Sequence, residues 1–433
     1  MTKESLRITP LRTVAKVISG FAFKSTEFGE SGIPVIKIKN IQLGDVDLTE
    51  IQYVADKYLS IDSKYHVNQG DILISLTGSH INQPNSVVGR VARYKNGFPK
   101  ALINQRVGKV LIKRPEQCDA IFLYFQLFDE KIRRDIATFA NGAANQANVS
   151  PSQIESLCVY LPSLSTQRKI AAILSAYDDL IENNLRRIKI LEDMAQNLYR
   201  EWFVKFRFPG HQQAHFIESA IGRIPEGWLG LFPDFVDFKE GPGLRKWQYR
   251  SEGLPFLNIR TLVDNDIDLS KVQYLDPKEV EVKYQHFLLK EYDHVVSSSG
   301  TLGRIVTIQK QHLPLMLNTS IIRMRPSTIR VARWQLKHFL SSDYFQNQIL
   351  SFAIGAAQPN FGPSHLQQML IVSPSDEIGL LYEETVEPLE VMIGTLVRKN
   401  TTLRRTRDLL LPKLISGDVD VSELDITISE EAV

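Results

Sequence analysis

The feature that most constrains this chain is an internal repeat, because two similar halves are expected to fold in the same way. Residues 33–48 read IPVIKIKNIQLGDVDL, and residues 254–269 read LPFLNIRTLVDNDIDL, 221 positions later. Further matches follow in the same order: GDILISLTGS with YDHVVSSSGT, VVGRVA with TLGRIV, INQRVGKVLIKRP with LNTSIIRMRP, and GAANQANVSPSQIESLCVYLPS with GAAQPNFGPSHLQQMLIVSPS. All partners are separated by about 212 to 222 residues, so we expect a duplicated unit.

The segments of each copy predict a mixed fold. Runs such as PVIKIKNI, DILISL and GKVLIKR have the composition of strands, and Gly, Asn and Pro clusters between them indicate turns. Residues 120–139 and 332–352 have the spacing of helices. We therefore predict an α+β chain with two mixed α/β domains, each of about 160 residues.

A second repeated feature is a run of apolar residues spaced alternately by three and four positions, as in a coiled coil. Each run would span about 50 Å of α-helix at a rise of about 1.5 Å per residue. The first seam comprises Ile170, Leu174, Tyr177, Ile181, Asn184, Ile188, Leu191, Ala195, Leu198 and Trp202. The second comprises Tyr382, Val386, Leu389, Ile393, Leu396, Asn400, Leu403, Arg407, Leu410 and Leu414. A helix packed on its own domain also shows such a stripe, but two runs of equal length favour antiparallel pairing with each other.

Polar residues in the seams predict the register of that pairing. If the runs pair about their midpoints, Asn184 and Asn400 share a layer, and a buried Asn at a seam fixes register. The same pairing sets the basic end of the second run against Asp178, and we expect the stem of Arg407 to reach out of the seam. The alternative for these charges is a solvated face. The residues expected to pair the helices are Ile181, Asn184, Ile188, Leu191, Ile393, Leu396, Asn400 and Leu403.

Composition places few limits on function. The net charge of +2 neither indicates nor excludes a polyanionic partner. The two cysteines, Cys118 and Cys158, favour a reducing compartment, and each is expected to be buried. Residues 1–10 lack the apolar core of a signal peptide, and no stretch approaches the roughly 20 apolar residues of a membrane span. We therefore expect a soluble, cytoplasmic protein.

Familiar catalytic motifs do not occur in the sequence. There is no GxxxxGK[ST] phosphate loop. Asp234, followed by Asp237 and Lys239, superficially resembles a nuclease motif, but these carboxylates are too close in sequence to come from separate strands. His211 and His215 lack the Glu or Cys partners of a zinc site. We expect neither a catalytic residue nor a bound metal in this chain.

Polar loops occupy matching places in both copies and have the composition of DNA readers. Arg pairs with guanine and Asn or Gln with adenine, while Ser, Thr and Lys hold phosphates. For one residue an ordinary surface turn is the simpler interpretation, but the recurrence of the set favours DNA contact. The candidates are Thr77, Ser79, Asn82, Arg90, Asn104, Gln105, Arg106, Arg245, Lys246, Asn258, Arg260, Ser298, Ser299, Arg304 and Asn318.

Several strings are typical of one protein family. The most specific are VSPSQIESLCVYLPSLSTQRKIAAILSAYDDLIENN from Val149, NLYREWFVKF, and DLLLPKLISGDVDV from Asp408. GIPVIKIKNI and GDILISLTGS add to them. With these strings the chain resembles, over nearly its whole length, the specificity subunits of Type I restriction–modification enzymes, which act in phage defence.

The resemblance implies a domain plan and a function. Target-recognition domains would occupy residues 1–163 and 209–375, conserved helices 164–208 and 376–425, and a tail 426–433. Each domain of such a subunit reads one half of a bipartite site in double-stranded DNA, and the antiparallel coiled-coil helices hold the domains apart over an unread spacer. The subunit is non-catalytic and binds no cofactor. Two modification subunits dock on the helices and bind S-adenosylmethionine, and two restriction subunits with helicase and nuclease activities can join.

The two copies differ in ways that predict an asymmetric DNA target. Arg407 stands where the first seam has Ala195, and the loop NGAANQANVS is longer than IGAAQPNFG. Two other functions stay open: a stand-alone DNA-modifying enzyme with an unrecognised active site, and a coiled-coil tether without a DNA role.

Overall fold

A computed structural model describes residues 8–78, 88–140, 147–263, 266–352 and 360–426. The chain divides into two compact units, one formed by Met1–Ile181 with Thr402–Val433 and the other by Glu182–Thr401. We call them unit 1 and unit 2. Both boundaries fall inside the two long helices, so each unit contains a globular part and a segment of either helix.

Unit 1 is built mainly on two sheets. In its described residues, strands β1–β13 span Ile8–Pro10, Ala15–Ser19, Phe28–Gly29, Ile33–Ile36, Gln52–Val54, His66–Val67, Ile72–Ser75, Thr77–Gly78, Val91–Arg93, Ala101–Ile103, Val107–Ile112, Ala147–Asn148 and Cys158–Tyr160. The strand order is β3-β5-β4-β10-β6 in one sheet and β2-β11-β7-β9 in the other. Helices α1–α4 span Ala120–Phe128, Glu130–Thr138, Pro151–Glu155 and Leu164–Tyr199.

Strand β7 shows why the strands of unit 1 are apolar on both faces. Its alternate residues point in opposite directions. Ile72 and Ile74 join a core with Phe122 of α1, whereas Leu73 joins a second core with Ile103 of β10. Because both faces are covered, β7 reads as a continuous apolar run rather than an alternating one.

Unit 2 repeats the four-stranded sheet of unit 1, but its other strands form two-stranded sheets in the described residues. Among its described residues, strands β14–β25 span Phe216–Ser219, Gly222–Pro225, Leu229–Leu231, Val236–Glu240, Leu254–Phe256, Leu262–Val263, Asp266–Ile267, Gln273–Leu275, His294–Ser297, Ile305–Thr307, Ile321–Pro326 and Leu370–Val372. Helices α5–α10 span Phe232–Phe235, Pro277–Glu279, Arg333–Leu340, Asp343–Phe352, Pro363–Leu366 and Asp376–Ile415. The sheet order β17-β24-β22-β23 corresponds strand for strand to β2-β11-β7-β9, which confirms the predicted duplication.

The helical segments predicted in the two globular parts are each broken in two. Asp129 stands between α1 and α2 with an extended backbone, and its carboxylate accepts a hydrogen bond from the N–H of Lys131. This cap ends one helix and begins the next. In unit 2, α7 ends at Leu340 and α8 begins at Asp343. The continuous periodicity of both segments concealed these breaks.

The helix segments of unit 2 pair in the predicted register. Asn184 Nδ2 donates a hydrogen bond to Asn400 Oδ1 at 2.8 Å. The two side chains are 9% and 2% exposed. Ile188, Ile393 and Leu396 form a small core of their own, against which Leu191 packs. None of the twenty seam positions is exposed; nineteen lie in α4 and α10, and Trp202 lies in a π-helical turn, Arg200–Val204, that follows α4.

In unit 1, Arg407 does not behave as expected. Its guanidinium forms an ion pair with Asp178, with Nη1 2.5 Å from Oδ1, and lies 5.2 Å from the ring centre of Phe128. Only 14% of the side chain is exposed, so the stem does not reach out of the seam, but the ion pair confirms that the basic end of the second helix lies against Asp178. The ion pair with the Asp178 carboxylate makes the half-buried position of the Arg407 guanidinium favourable. Nearby, Ile181 is buried and Leu403 is half-buried.

A network of buried charges holds α10 against α7 in unit 2. His338 Nε2 donates to Glu390 Oε1 at 2.9 Å, and Lys337 also binds this carboxylate. Burial acts to raise the pKa of Glu390, but Lys337 and His338 outweigh it and lower the pKa to about 2. Burial lowers the pKa of His338, and the neutral ring accepts from the Tyr382 hydroxyl at Nδ1, 2.8 Å away.

Three other expectations can be compared with the structure. The predicted helical region 376–425 is longer than the helix, because α10 ends at Ile415. Cys118 is buried as expected, but Cys158 is exposed, since alternation along β13 turns Val159 inward instead. Within the described ranges, no helix is both long and apolar enough to cross a membrane.

Candidate nucleic-acid interface

The same turn follows one strand in each unit. In unit 1, β7 ends at Ser75, whose hydroxyl accepts a hydrogen bond from the N–H of Arg90 at 2.9 Å. Gly89 precedes this arginine with a φ of 76°, in the left-handed region that suits glycine. In unit 2, Ser297 and Arg304 make the same bond at 2.9 Å. In each unit this turn therefore fixes the position of the predicted arginine, Arg90 or Arg304, relative to the preceding strand.

The guanidinium groups of these arginines are partly engaged within their own units. Arg90 Nη1 donates to Gln42 Oε1 at 3.2 Å, and Arg304 Nη1 donates to the Leu262 carbonyl at 3.1 Å. Burial lowers the pKa of Arg90, and the neighbouring Arg133 adds to this effect. Arg90 is half-buried while Arg304 stays exposed, so Arg304 presents more of its side chain to solvent than Arg90 does.

Two loops lie side by side in each unit. We call residues 20–27 of unit 1 and 241–248 of unit 2 loop A, and residues 104–106 and 318–320 turn B. A backbone hydrogen bond from turn B to loop A measures 2.9 Å in unit 1 and 3.1 Å in unit 2. Loop A and turn B therefore form one continuous edge in both copies.

A glycine makes this close approach possible in each copy. A Cβ atom on Gly20 would lie 2.4 Å from the carbonyl oxygen of Asn104, and one on Gly241 would lie 2.2 Å from the carbonyl carbon of Asn318. Real Cβ atoms do not approach backbone so closely, so loop A can touch turn B only with glycine at these positions. The repeat aligns the two glycines 221 residues apart, a signal that sequence analysis missed.

The predicted DNA-contacting residues fall into groups by exposure. Those exposed are Gln105, Arg106, Arg245, Lys246, Arg260 and Arg304. Those half-buried are Arg90, Asn104, Asn258 and Ser299. Thr77, Ser298 and Asn318 are buried, and Ser79 and Asn82 lie outside the described residues. The exposed group has the side chains that are free to meet a ligand at the surface.

The buried residues correct the prediction that they stand in surface loops. Thr77 belongs to the short strand β8, and its hydroxyl donates to Asn148 Oδ1 at 2.8 Å. The backbone N–H of Ser298 donates to the Ser320 carbonyl at 2.9 Å, at the end of turn B. Asn318 is 6% exposed because Gly241 packs directly on its backbone. Three of the thirteen described candidates therefore serve the scaffold instead of the surface.

One residue in this edge escaped the sequence analysis. Trp247 in loop A of unit 2 is 73% exposed. It lies between Lys246 and the buried Gln248. The available signal was an aromatic residue among basic ones, in RKWQYR.

Comparison with known proteins accounts for this architecture. Residues 7–192 match the family model described as the Type I restriction modification DNA specificity domain. The putative type I restriction enzyme MjaX specificity subunit of Methanocaldococcus jannaschii is 29% identical over 261 residues, which are 59% of either chain. The MjaIX specificity subunit of the same organism is 23% identical over 412 residues, or 92% of either chain. The chain is therefore similar to Type I specificity subunits over nearly its whole length.

A solved structure of the specificity-subunit family has the same fold. The Type-I restriction-modification system S subunit from M. genitalium aligns over 96% of this chain and 98% of its own, with a TM-score of 0.52. Its sequence identity is 16%, so the similarity concerns the fold.

Proposed function

We propose that this chain is the DNA-reading specificity subunit of a Type I restriction–modification complex, without catalytic activity of its own. Residues 1–163 and 209–375 act as target-recognition domains, and each reads one half of an asymmetric bipartite site. The observation that supports this is that the two units share the backbone of loop A and turn B but carry different side chains on it. Gln105 and Arg106 in turn B of unit 1 are replaced by Thr319 and Ser320 in unit 2.

The exposed side chains have the chemistry that base and phosphate contacts require. Gln105 and Arg106 offer the donors and acceptors that pair with adenine and guanine edges in the major groove. Arg245 and Lys246 in loop A of unit 2 are cations suited to phosphate contacts, which fix the position of a protein on DNA. Exposure of all four supports direct contact with a duplex.

The long helices α4 and α10 are proposed to set the unread spacer and to dock two modification subunits. Those subunits carry S-adenosylmethionine, two restriction subunits complete the complex, and the assembly acts in the cytoplasm. Exposed apolar side chains on the helix segments of unit 2 support docking: Ile190 and Met194 on α4, and Val391 and Met392 on α10. Clustered apolar surface of this kind is typical of protein contacts.

Selection of binding sites from a random DNA library tests the proposal. The library is incubated with the full chain and its modification subunits, and the enriched sequences are compared between variants. Replacement of Asn104, Gln105 and Arg106 by alanine should relax one half of a split motif and leave the other half intact. Thr319→Ala in turn B of unit 2 is the reciprocal variant and should affect only the other half. An unsplit motif, or loss of both halves by a variant with native circular dichroism, would contradict the assignment.

A further inference from the structure

Loop A of unit 2 places a large aromatic ring in solvent. Trp247 is 73% exposed, whereas the other three tryptophans of the chain, Trp202, Trp228 and Trp334, are 7%, 6% and 2% exposed. Exposure of so large an apolar surface is unfavourable in water, at about 25 cal/mol per Å². A ring kept at this position without a role in the core is suited to an intermolecular contact.

The turn that carries Trp247 is held firmly. Gln248 is 4% exposed, and its Nε2 donates to Glu279 Oε1 at 3.0 Å and to the Tyr284 hydroxyl at 3.1 Å. Its Oε1 accepts from the backbone N–H of Arg245 at 2.9 Å and so closes the turn. A ring on a preorganised turn loses little conformational entropy on binding, which favours affinity.

The surroundings of the ring are basic rather than apolar. Arg245 and Lys246 precede it, and Arg250 Nη1 donates to the Trp247 carbonyl at 3.1 Å. All three cations are exposed, and no salt bridge joins them to a carboxylate in the part of the chain that the structure describes. Aromatic rings between cations bind nucleic acids, because the ring stacks on bases while the cations hold phosphates. Protein-docking surfaces are instead depleted of charge at their centre.

Unit 1 has the same turn without the ring. There the N–H of Lys24 donates to Glu27 Oε2 at 2.7 Å, which matches the bond between Arg245 and Gln248. The position that corresponds to Trp247 is Thr26. The hydrogen-bonded turn is therefore present in both units, whereas the aromatic side chain is present in unit 2 and not at the corresponding position of unit 1.

We propose that Trp247 stacks on the DNA as an aromatic contact specific to the half-site read by unit 2. This proposal rests on the proposed DNA-reading function. Lys246 and Arg245 hold the adjacent phosphates, and the ring stacks on a sugar or on the edge of a base, because neighbouring base pairs cover the base faces within a duplex. The half-site of unit 1 has no equivalent contact.

Tryptophan fluorescence tests the contact directly, because iodide in solution quenches mainly the exposed Trp247. The probe is duplex DNA at low salt with the full chain. We expect DNA to protect this fraction from iodide, and Trp247→Phe to lack the iodide-sensitive fraction before DNA is added. Protection by the modification subunits, with none by DNA, would overturn the proposal in favour of a protein contact.

Binding measurements separate this inference from the function on which it rests. Trp247→Ala should weaken duplex binding by about 5-fold, the lower end of the range for loss of one aromatic–base stack in single strands. The slope of log affinity against log salt should stay unchanged, whereas Lys246→Ala should reduce it by about one. Val282→Ala, at a position 82% exposed in the same unit, is the control and should bind as the wild type does.

The outcomes are distinguishable. If the wild type binds DNA and Trp247→Ala binds equally well, the stacking contact is refuted and the DNA-reading function stands. If the wild type itself binds no DNA at low salt, the proposed function fails and the inference fails with it.

Discussion

The buried amide pair between the long helices allows a quantitative test of how the seam is held together. In Asn184→Ala the 2.8 Å hydrogen bond to Asn400 is lost. A hydrogen bond contributes about 1 kcal/mol net, and a buried amide left without one partner costs about 1–3 kcal/mol. Because Asn400 has further contacts, we expect unit 2 to lose about 1–2 kcal/mol of unfolding free energy.

The exposed neighbour Asn183 provides a matched control. Replacement of either asparagine by alanine raises helix propensity by a similar amount, up to about 0.7 kcal/mol. The difference between the free energies of Asn184→Ala and Asn183→Ala therefore isolates the amide pair. Urea unfolding followed by tryptophan emission reports on the correct unit, since all four tryptophans lie between residues 202 and 334.

A double variant tests whether the two amides stabilise the seam only as a pair. In Asn184→Leu with Asn400→Leu both amides are gone and the layer is apolar, so the unfolding free energy should equal or exceed that of the wild type. Each single leucine variant buries one amide against an apolar side chain and should be destabilised, which gives a coupling energy of about 0.5–3 kcal/mol. Equal free energies for Asn184→Ala and Asn183→Ala, or strict additivity of the leucine variants, would refute the reasoning.

Three further predictions concern the other contacts. Arg407→Ala, which leaves the partly buried Asp178 without its partner, should destabilise unit 1 by about 1–3 kcal/mol, measured as an earlier transition in far-ultraviolet circular dichroism. The pKa of Glu390 is lowered from 4.5 to about 2, so its stabilisation is complete above pH 4.5 and is lost as pH falls towards 2; Glu390→Gln should flatten this part of the stability–pH curve. Gly241→Ala should destabilise unit 2 by about 1–3 kcal/mol in tryptophan-monitored urea unfolding, because its Cβ would meet backbone, whereas Gly243→Ala, which has open space, should change it by less than about 0.5 kcal/mol.

Features with a local period could be predicted from the sequence. The heptad spacing identified both long helices, and a midpoint rule placed Asn184 opposite Asn400. Ordered matches between the halves predicted the shared sheet order, since each strand is encoded within a few residues. The break at Asp129 was missed because an N-cap depends on the backbone of a single residue. The apolar spacing of a segment continues across such a residue and gives no sign of the break.

Burial at the candidate interface could not be read from composition. Thr77 and Asn318 have the polarity of surface residues, yet strand pairing buries the first and the close approach of Gly241 buries the second. Both effects depend on segments distant in sequence. The register predicted that the basic end of the second helix faces Asp178, 229 residues from Arg407, but it did not predict that the guanidinium of Arg407 would be largely buried.

The charged neighbours of the seam show why the two halves are not interchangeable. Asp178 and Glu390 occupy equivalent places, 212 residues apart, but Arg407 of α10 forms an ion pair with the first, whereas Lys337 of α7 forms an ion pair with the second and His338 donates a hydrogen bond to it. A chain built from two first halves would have alanine in place of Arg407 and would leave a half-buried carboxylate unpaired. One built from two second halves would bring a seam arginine towards a carboxylate that is already neutralised. Each mismatch costs free energy, so the charges favour pairing of unlike halves, which is consistent with the proposed asymmetric target.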